Sequence, residues 1–384
     1  MRLDGISVLD LSRLLPGPYA TQVLADMGAD VVKIERPGTG DYARSMSAGD
    51  GPDVFGAVNR GKRSVTLDLT RAAAREAFHD LAATADVVVE SFRPGVADRL
   101  GVGYETVSET NPEIVYLSLS GFGATGPHRD RAGHDLNYVG LAGLLSMTSA
   151  EPDGRPAIPG FPVGDMAGGL FGALSVLGAL LSRELGDGGG EHLDVALTDA
   201  AVALSQVVSA RALAGGDPAA RETALTGQFP CYDVYETADG EWVTLAALEP
   251  EFWERFCEAV DRPDLVDRHM AADPAEREAV REAVAETFRE RTREEWEATL
   301  GDVDAMVAPV RSVREALDGD QVRERGLLRS GPAGERVGLP VRTAGRLDGP
   351  DERLPDLGEH TEDVLAAHGY DEAAIERLRE QDAI

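Results

Sequence analysis

Short apolar runs alternate with longer amphipathic stretches over the first third of the chain. Segments 6–11, 31–35, 64–69, 86–91 and 114–120 have the length and apolar content of strands buried on both faces. Segments 19–27 and 71–83 instead carry apolar residues at helical spacing, and Gly28 closes the first. Apolar strands separated by amphipathic helices predict an α/β fold with a doubly wound parallel sheet. Segment 166–181 is apolar and contains four glycines; it is short for a membrane span and reads as a buried helix.

The pattern changes further on. Segments 231–237 and 242–246 read as strands joined through Ala238-Asp239-Gly240, a hairpin signal. Helical spacing follows over 251–260 and 276–300. Before them lie a strand-like 191–196, a helical 199–212 and a possible linker over 215–220. This predicts a large domain begun by residues 1–213, a smaller α+β domain over 220–310, and a return to the large domain over 311–384. The mostly apolar 306–313 is expected to lead the chain back. Helices are expected over 362–368 and 372–381.

Charge narrows the partners. Sixty-eight acidic residues oppose 37 basic ones, for a net charge of −31. Such a surface suits a high-salt cytoplasm and disfavours nucleic acid and anionic membranes. Only Lys33 and Lys62 are lysine. Both fall in a locally positive stretch with Arg36, Arg44, Arg60 and Arg63, which suggests an anionic ligand. Two cysteines, Cys231 and Cys257, supply neither a disulfide framework nor a metal spacing. No apolar signal segment precedes the first strand, so a cytoplasmic protein is expected.

Two glycine-flanked motifs carry candidate chemistry: Gly133-His134-Asp135-Leu136-Asn137-Tyr138 and Gly164-Asp165-Met166-Ala167-Gly168-Gly169. If the fold brings His134 and Asp165 together, they supply two different bases around one site. Taken singly, Asp165 reads as a helix N-cap, His134 as a hydrogen-bonded loop residue, and Glu249 before Pro250 as a cap of the next helix. No GxGxxG or P-loop follows the first strand, which argues against a nicotinamide or ATP enzyme. Instead, Arg36-Pro37-Gly38 and Arg93-Pro94-Gly95 each end a strand. Carboxyl ends of strands are where open α/β sheets bind ligands, and arginines there can hold phosphates.

The opening Val8-Leu9-Asp10-Leu11-Ser12, Pro16-Gly17-Pro18-Tyr19-Ala20 and Leu24-Ala25-Asp26-Met27-Gly28-Ala29-Asp30-Val31-Val32-Lys33-Ile34-Glu35 resemble the family III CoA-transferases (CaiB/BaiF). Asn59-Arg60-Gly61-Lys62-Arg63-Ser64, Phe92-Arg93-Pro94-Gly95, Gly121-Phe122-Gly123-Ala124-Thr125-Gly126-Pro127 and Asp194-Val195-Ala196-Leu197 extend the resemblance over nearly the whole chain. It implies interlocked homodimers and acyl-CoA substrates, with no cofactor beyond the substrate's CoA.

Transferases of this family use an aspartate resembling Asp165 as nucleophile, passing through an anhydride to a thioester with CoA. Its 2-methylacyl-CoA racemases keep that aspartate and add a histidine in a motif like that of His134 and a glutamate like Glu249. The resemblance therefore points to the racemase, with CoA transfer between carboxylic acids as the alternative. It also implies that Glu249, from the same chain or from the partner subunit, pairs with His134. Backbone N–H groups near Asp135 would receive the enolate oxygen, and Arg36, Arg60, Lys62 and Arg93 would hold CoA.

Overall fold

The computed structural model describes residues 2–46, 54–151, 154–186, 188–342 and 352–384. Two compact units emerge. The first comprises 1–142, 160–204 and 320–384; the second comprises 143–159 and 205–319.

The first unit is built on six parallel strands: β1 Ser7–Asp10, β2 Asp30–Glu35, β3 Arg63–Thr66, β4 Val87–Glu90, β5 Val115–Ser120 and β6 Glu191–Ala196. Their order is β3-β2-β1-β4-β5-β6. The expected doubly wound α/β sheet is present. Apolar runs form its centre because both faces are covered. In β4, Val87 and Val89 enter one core with Val8, Leu117 and Ala173, while Val88 enters the other with Leu9, Phe78 and Leu81. Strand order reverses between β1 and β4, so the loops leaving their carboxyl ends diverge and open a crevice there.

The returning C-terminal segment covers the β3 edge. His360 Nδ1 accepts the Ser64 N–H at 3.2 Å and Thr361 Oγ1 accepts that of Thr66 at 3.0 Å. An otherwise open edge is thereby partly paired.

The helix Val163–Glu184 packs on the helix Pro16–Asp26 and on β5. Its buried side carries Gly168, Gly169 and Gly172. A Cβ on Gly169 would lie 2.5 Å from the Pro16 carbonyl oxygen and 2.8 Å from the Tyr19 ring. Gly169→Ala is therefore expected to cost about 1–3 kcal/mol of stability, read as a lower denaturant midpoint. Activity should fall with it, because Pro16 and Asp165 line one cleft. The helix is not buried all round as expected: Leu170, Leu174 and Leu181 are 52%, 60% and 59% exposed.

In the second unit, β7 Tyr232–Glu236, β8 Trp242–Ala246 and β9 Val307–Pro309 form an antiparallel sheet. The expected hairpin is there, with Gly240 at φ +78° in its turn. Trp253, Phe256, Phe288 and Trp296 fill the core beneath it. Three expectations are corrected. Segment 306–313 does not lead back: β9 pairs with β8, and the chain leaves this unit only after Gly319. The helix expected over 199–212 is two, Leu197–Ala203 and Gln206–Leu213, and the second of these belongs to the second unit. The 276–300 helix also splits, into Pro274–Phe288 and Arg293–Leu300. Thr292 restarts it through a capping box: Thr292 Oγ1 accepts the Glu295 N–H at 3.2 Å, and the Glu295 carboxylate accepts the Thr292 N–H at 2.9 Å. Within the first unit, β10 Leu328–Gly331 and β11 Gly334–Val337 make a hairpin.

Candidate active site

A cleft of about 560 Å³ opens at the carboxyl ends of β1, β4 and β5. His134 and Asp165 both line it, so the fold does bring the two motifs to one site. The reason is local and readable. His134 is the N-cap of the helix Asp135–Leu141, and Asn137 Oδ1 accepts its N–H at 3.0 Å. The Asp135 carboxylate accepts the Asp165 N–H at 3.0 Å, tying the first motif to the start of the long helix. Tyr138 donates its hydroxyl to the Gly133 carbonyl. Its ring lies so close to Gly121 and Gly133 that a Cβ on either would sit 2.6–2.7 Å from it. Each residue of the hexapeptide that is not apolar thus has a partner or a position in the cleft.

Electrostatics differentiates the two candidate bases. His134 is exposed. Burial raises the Asp165 carboxyl to about 7, and the neighbouring Asp135 charge adds to the rise. Between its ordinary value near 4 and about 7 the folded protein binds the extra proton, so this group's stability contribution is present at low pH and is lost as pH rises through 7. Asp165→Asn should flatten that decline in an unfolding-versus-pH series. Asp135→Asn keeps an oxygen for the Asp165 N–H but removes the charge. Any limb of the activity profile that reports Asp165 should move to lower pH in that variant.

A smaller cavity of about 220 Å³ adjoins the cleft, sharing Arg13, Tyr42 and Phe92 with it. Arg36 lines the smaller cavity and Arg93 the larger, and both side chains are exposed. These two expected CoA contacts are available to a ligand. The other two are corrected. Lys62 is buried, and its ammonium is surrounded by the Asp10 carboxylate (3.1 Å), Thr21 Oγ1 (2.7 Å), Asn59 Oδ1 (2.9 Å) and the Pro18 carbonyl (2.9 Å). Burial lowers its pKa to about 8 against the pull of Asp10. Arg60 is 5% exposed and spends its donors on the Gly56, Ala333 and Gly334 carbonyls. The positive patch is largely neutralised by the chain's own acids: Lys33 pairs with Asp41 and Arg44 with Glu35 in the interior, and Arg63 with Asp30 at the surface.

The buried charges shape the cleft instead of touching its ligand. Lys33 holds the Asp41 carboxylate at 3.0 Å, and that carboxylate accepts the Leu14 N–H at 3.0 Å. Leu14 lines the cleft at φ +66°, a left-handed conformation rare for a leucine. Arg13, Leu14 and Asp41 escaped the sequence reading; the signal available was an Arg-Leu-Leu-Pro-Gly turn directly after β1. Glu249 belongs to the second unit, where it is exposed and precedes the helix Pro250–Ala259.

Comparison with known proteins places this geometry. The profile of CoA-transferase family III matches residues 3–361. Succinyl-CoA:mesaconate CoA-transferase of Haloarcula hispanica is 37% identical, over 96% of this chain and 96% of its own. Alpha-methylacyl-CoA racemase of Homo sapiens is 34% identical, over 98% and 96%. A crystal structure of a CAIB/BAIF family protein from Brucella suis superposes with a TM-score of 0.82 at 30% identity, covering 95% of this chain and 99% of that one.

Proposed function

The chain belongs to CoA-transferase family III, and from that premise we propose that it inverts the α-carbon of 2-methylacyl-CoA thioesters. The observation that carries this reading is that His134 and Asp165 line one cleft while Asp165 retains a proton up to about pH 7. Neutral His134 takes the α-proton, and the C–H electron pair passes to the thioester oxygen as an enolate. Protonated Asp165 returns a proton to the opposite face. The reverse direction starts from imidazolium and carboxylate. The first N–H groups of the helix at Asp135 have no intrahelical acceptor and suit the enolate oxygen.

Arg36 and Arg93 are taken to hold the CoA phosphates, and Glu249 to pair with His134 in a homodimer. The exposed Leu170, Leu174 and Leu181 are consistent with a second copy covering that helix. No cofactor beyond the substrate's CoA is invoked. The test is α-hydrogen exchange: a 2-methylacyl-CoA incubated in deuterated water without any acceptor acid should gain deuterium and lose optical activity.

CoA transfer between carboxylic acids is the second reading, favoured by the named activity of the Haloarcula hispanica relative. Asp165 alone would carry it, as the carboxylate that accepts the acyl group and then CoA. Acceptor-dependent transfer with no exchange would establish this reading and remove the first.

A further inference from the structure

Side chains from other elements hold the loop between β1 and the helix Pro16–Asp26 through four backbone groups. The Asp10 carboxylate accepts the Ser12 N–H at 3.0 Å, and Lys33 Nζ donates to the Ser12 carbonyl at 2.9 Å. Ser91 Oγ, just past β4, accepts the Arg13 N–H at 2.9 Å, and the Asp41 carboxylate accepts the Leu14 N–H at 3.0 Å. Behind the last of these lies a row of alternating charges. Lys62, Asp10, Lys33 and Asp41 follow one another at 3.1, 3.9 and 3.0 Å, with every side chain 0% exposed. The row contains both lysines of the 384-residue chain. Apolar side chains of similar volume often fill such a space with no loss of stability. They offer no acceptor to a backbone N–H, however, and Leu14 needs one. Its φ of +66° is a conformation that a leucine keeps only where its surroundings impose it.

The loop stands between the two cavities. Leu11, Ser12 and Arg13 line the smaller one, and Arg13, Leu14 and Pro16 line the cleft with His134 and Asp165. Its far end rests on the helix that carries Asp165: a Cβ on Gly169, one turn beyond that residue, would lie 2.5 Å from the Pro16 carbonyl oxygen. An acyl-CoA that reaches from Arg36 to His134 and Asp165 passes over this loop. Displacing the loop therefore moves the reacting carbon relative to both bases, and a misplacement of about 1 Å can cost about 10²-fold in rate.

We propose that Lys33 and Asp41 are positioning residues of the reaction. Lys33 fixes the Asp41 carboxylate, that carboxylate holds Leu14 in its left-handed turn, and the turn sets where the thioester lies against His134 and Asp165. The inference rests on the acyl-CoA reading of the cleft and holds for either reaction.

Lys33→Met with Asp41→Ala removes the clamp without leaving a buried charge unpaired, since Asp10 keeps Lys62 at 3.1 Å. With the 2-methylacyl-CoA of the exchange assay, with or without an acceptor acid, kcat should fall about ten- to a hundredfold, while the dissociation constant of that thioester changes by less than about threefold. Adding Leu14→Asn should restore most of the lost kcat, because asparagine takes the left-handed conformation readily. A double variant that folds and keeps the wild-type kcat overturns the proposal. So does a loss confined to affinity, or a loss of kcat that Leu14→Asn does not reduce. If the double variant does not fold, Leu14→Pro decides, because it leaves Lys33 and Asp41 paired but removes the N–H and the left-handed φ. It should show the same fall in kcat, and a wild-type kcat there overturns the proposal. If the wild-type protein neither exchanges nor transfers, the acyl-CoA reading itself falls, and this inference with it.

Discussion

Asp165→Asn is expected to lower turnover by about 10³-fold or more, whichever reaction is assayed. An amide neither donates an acidic proton to an enolate nor attacks a thioester, and a positioned acid–base group contributes about 10²–10⁴-fold. The fold should survive, because the Asp165 N–H bond to Asp135 uses the backbone. His134→Gln separates the readings. As the base, its loss should cost about 10²–10⁴-fold in α-hydrogen exchange, while CoA transfer should persist within a few-fold. Kinetics of both variants with a 2-methylacyl-CoA, with and without an acceptor acid, decide the matter. A His134→Gln variant that still exchanges the α-hydrogen at the wild-type rate would sink the racemase reading.

The largest stability effect is expected at Asp10. This carboxylate is fully buried at the carboxyl end of β1 and accepts from Lys62 at 3.1 Å, Thr21 Oγ1 at 2.7 Å and the Ser12 N–H at 3.0 Å, with Lys33 at 3.9 Å. Burial alone would raise its pKa. The two ammoniums, with Ser12 and Thr21, more than offset that and hold it well below the usual carboxylate range. Asp10→Asn keeps the shape and removes the charge, leaving Lys62 buried without a counter-ion. Breaking such a pair costs about 3–5 kcal/mol, read as a fall in denaturant midpoint at unchanged slope. Asp10→Leu with Lys62→Met should recover a large share of the loss, since apolar replacement of a whole buried pair is often neutral. If Lys62→Met folds and weakens CoA binding as much as Arg36→Gln does, the assignment of Lys62 to the interior is wrong.

The fold was largely legible because its signals are local. Val87, Val88 and Val89 are apolar in succession, which only a strand covered on both faces tolerates, and such strands separated by amphipathic helices imply a parallel sheet. The hexapeptide was legible for a similar reason: glycines, a capping asparagine and an aspartate at a helix start mark a turn built for function. Boundaries were harder to place. The Thr292 capping box was present as Thr292-Arg293-Glu294-Glu295 but was overridden by a continuous helical pattern. Within 306–313, Val307 pairs with Leu245 and Pro309 with Val243, partners far back along the chain that no local signal announces.

Charge was the least legible property. Lys62 and Arg36 look alike in sequence: each stands near a glycine, in the same basic stretch. The sequence by itself determined the strands of the parallel sheet and the hairpin of the second unit, that two polar motifs begin helices, and that cations gather near the N-terminus. Only the tertiary structure decided that Lys33 and Lys62 point inward to Asp41 and Asp10, that Arg36, Arg93, Arg129 and Arg131 line cavities, and that His134 and Asp165 share a cleft. The reason is that a side chain's charge is written in the sequence, whereas its solvation and partners are set by residues distant along the chain, and those decide whether the charge binds a ligand or supports the fold.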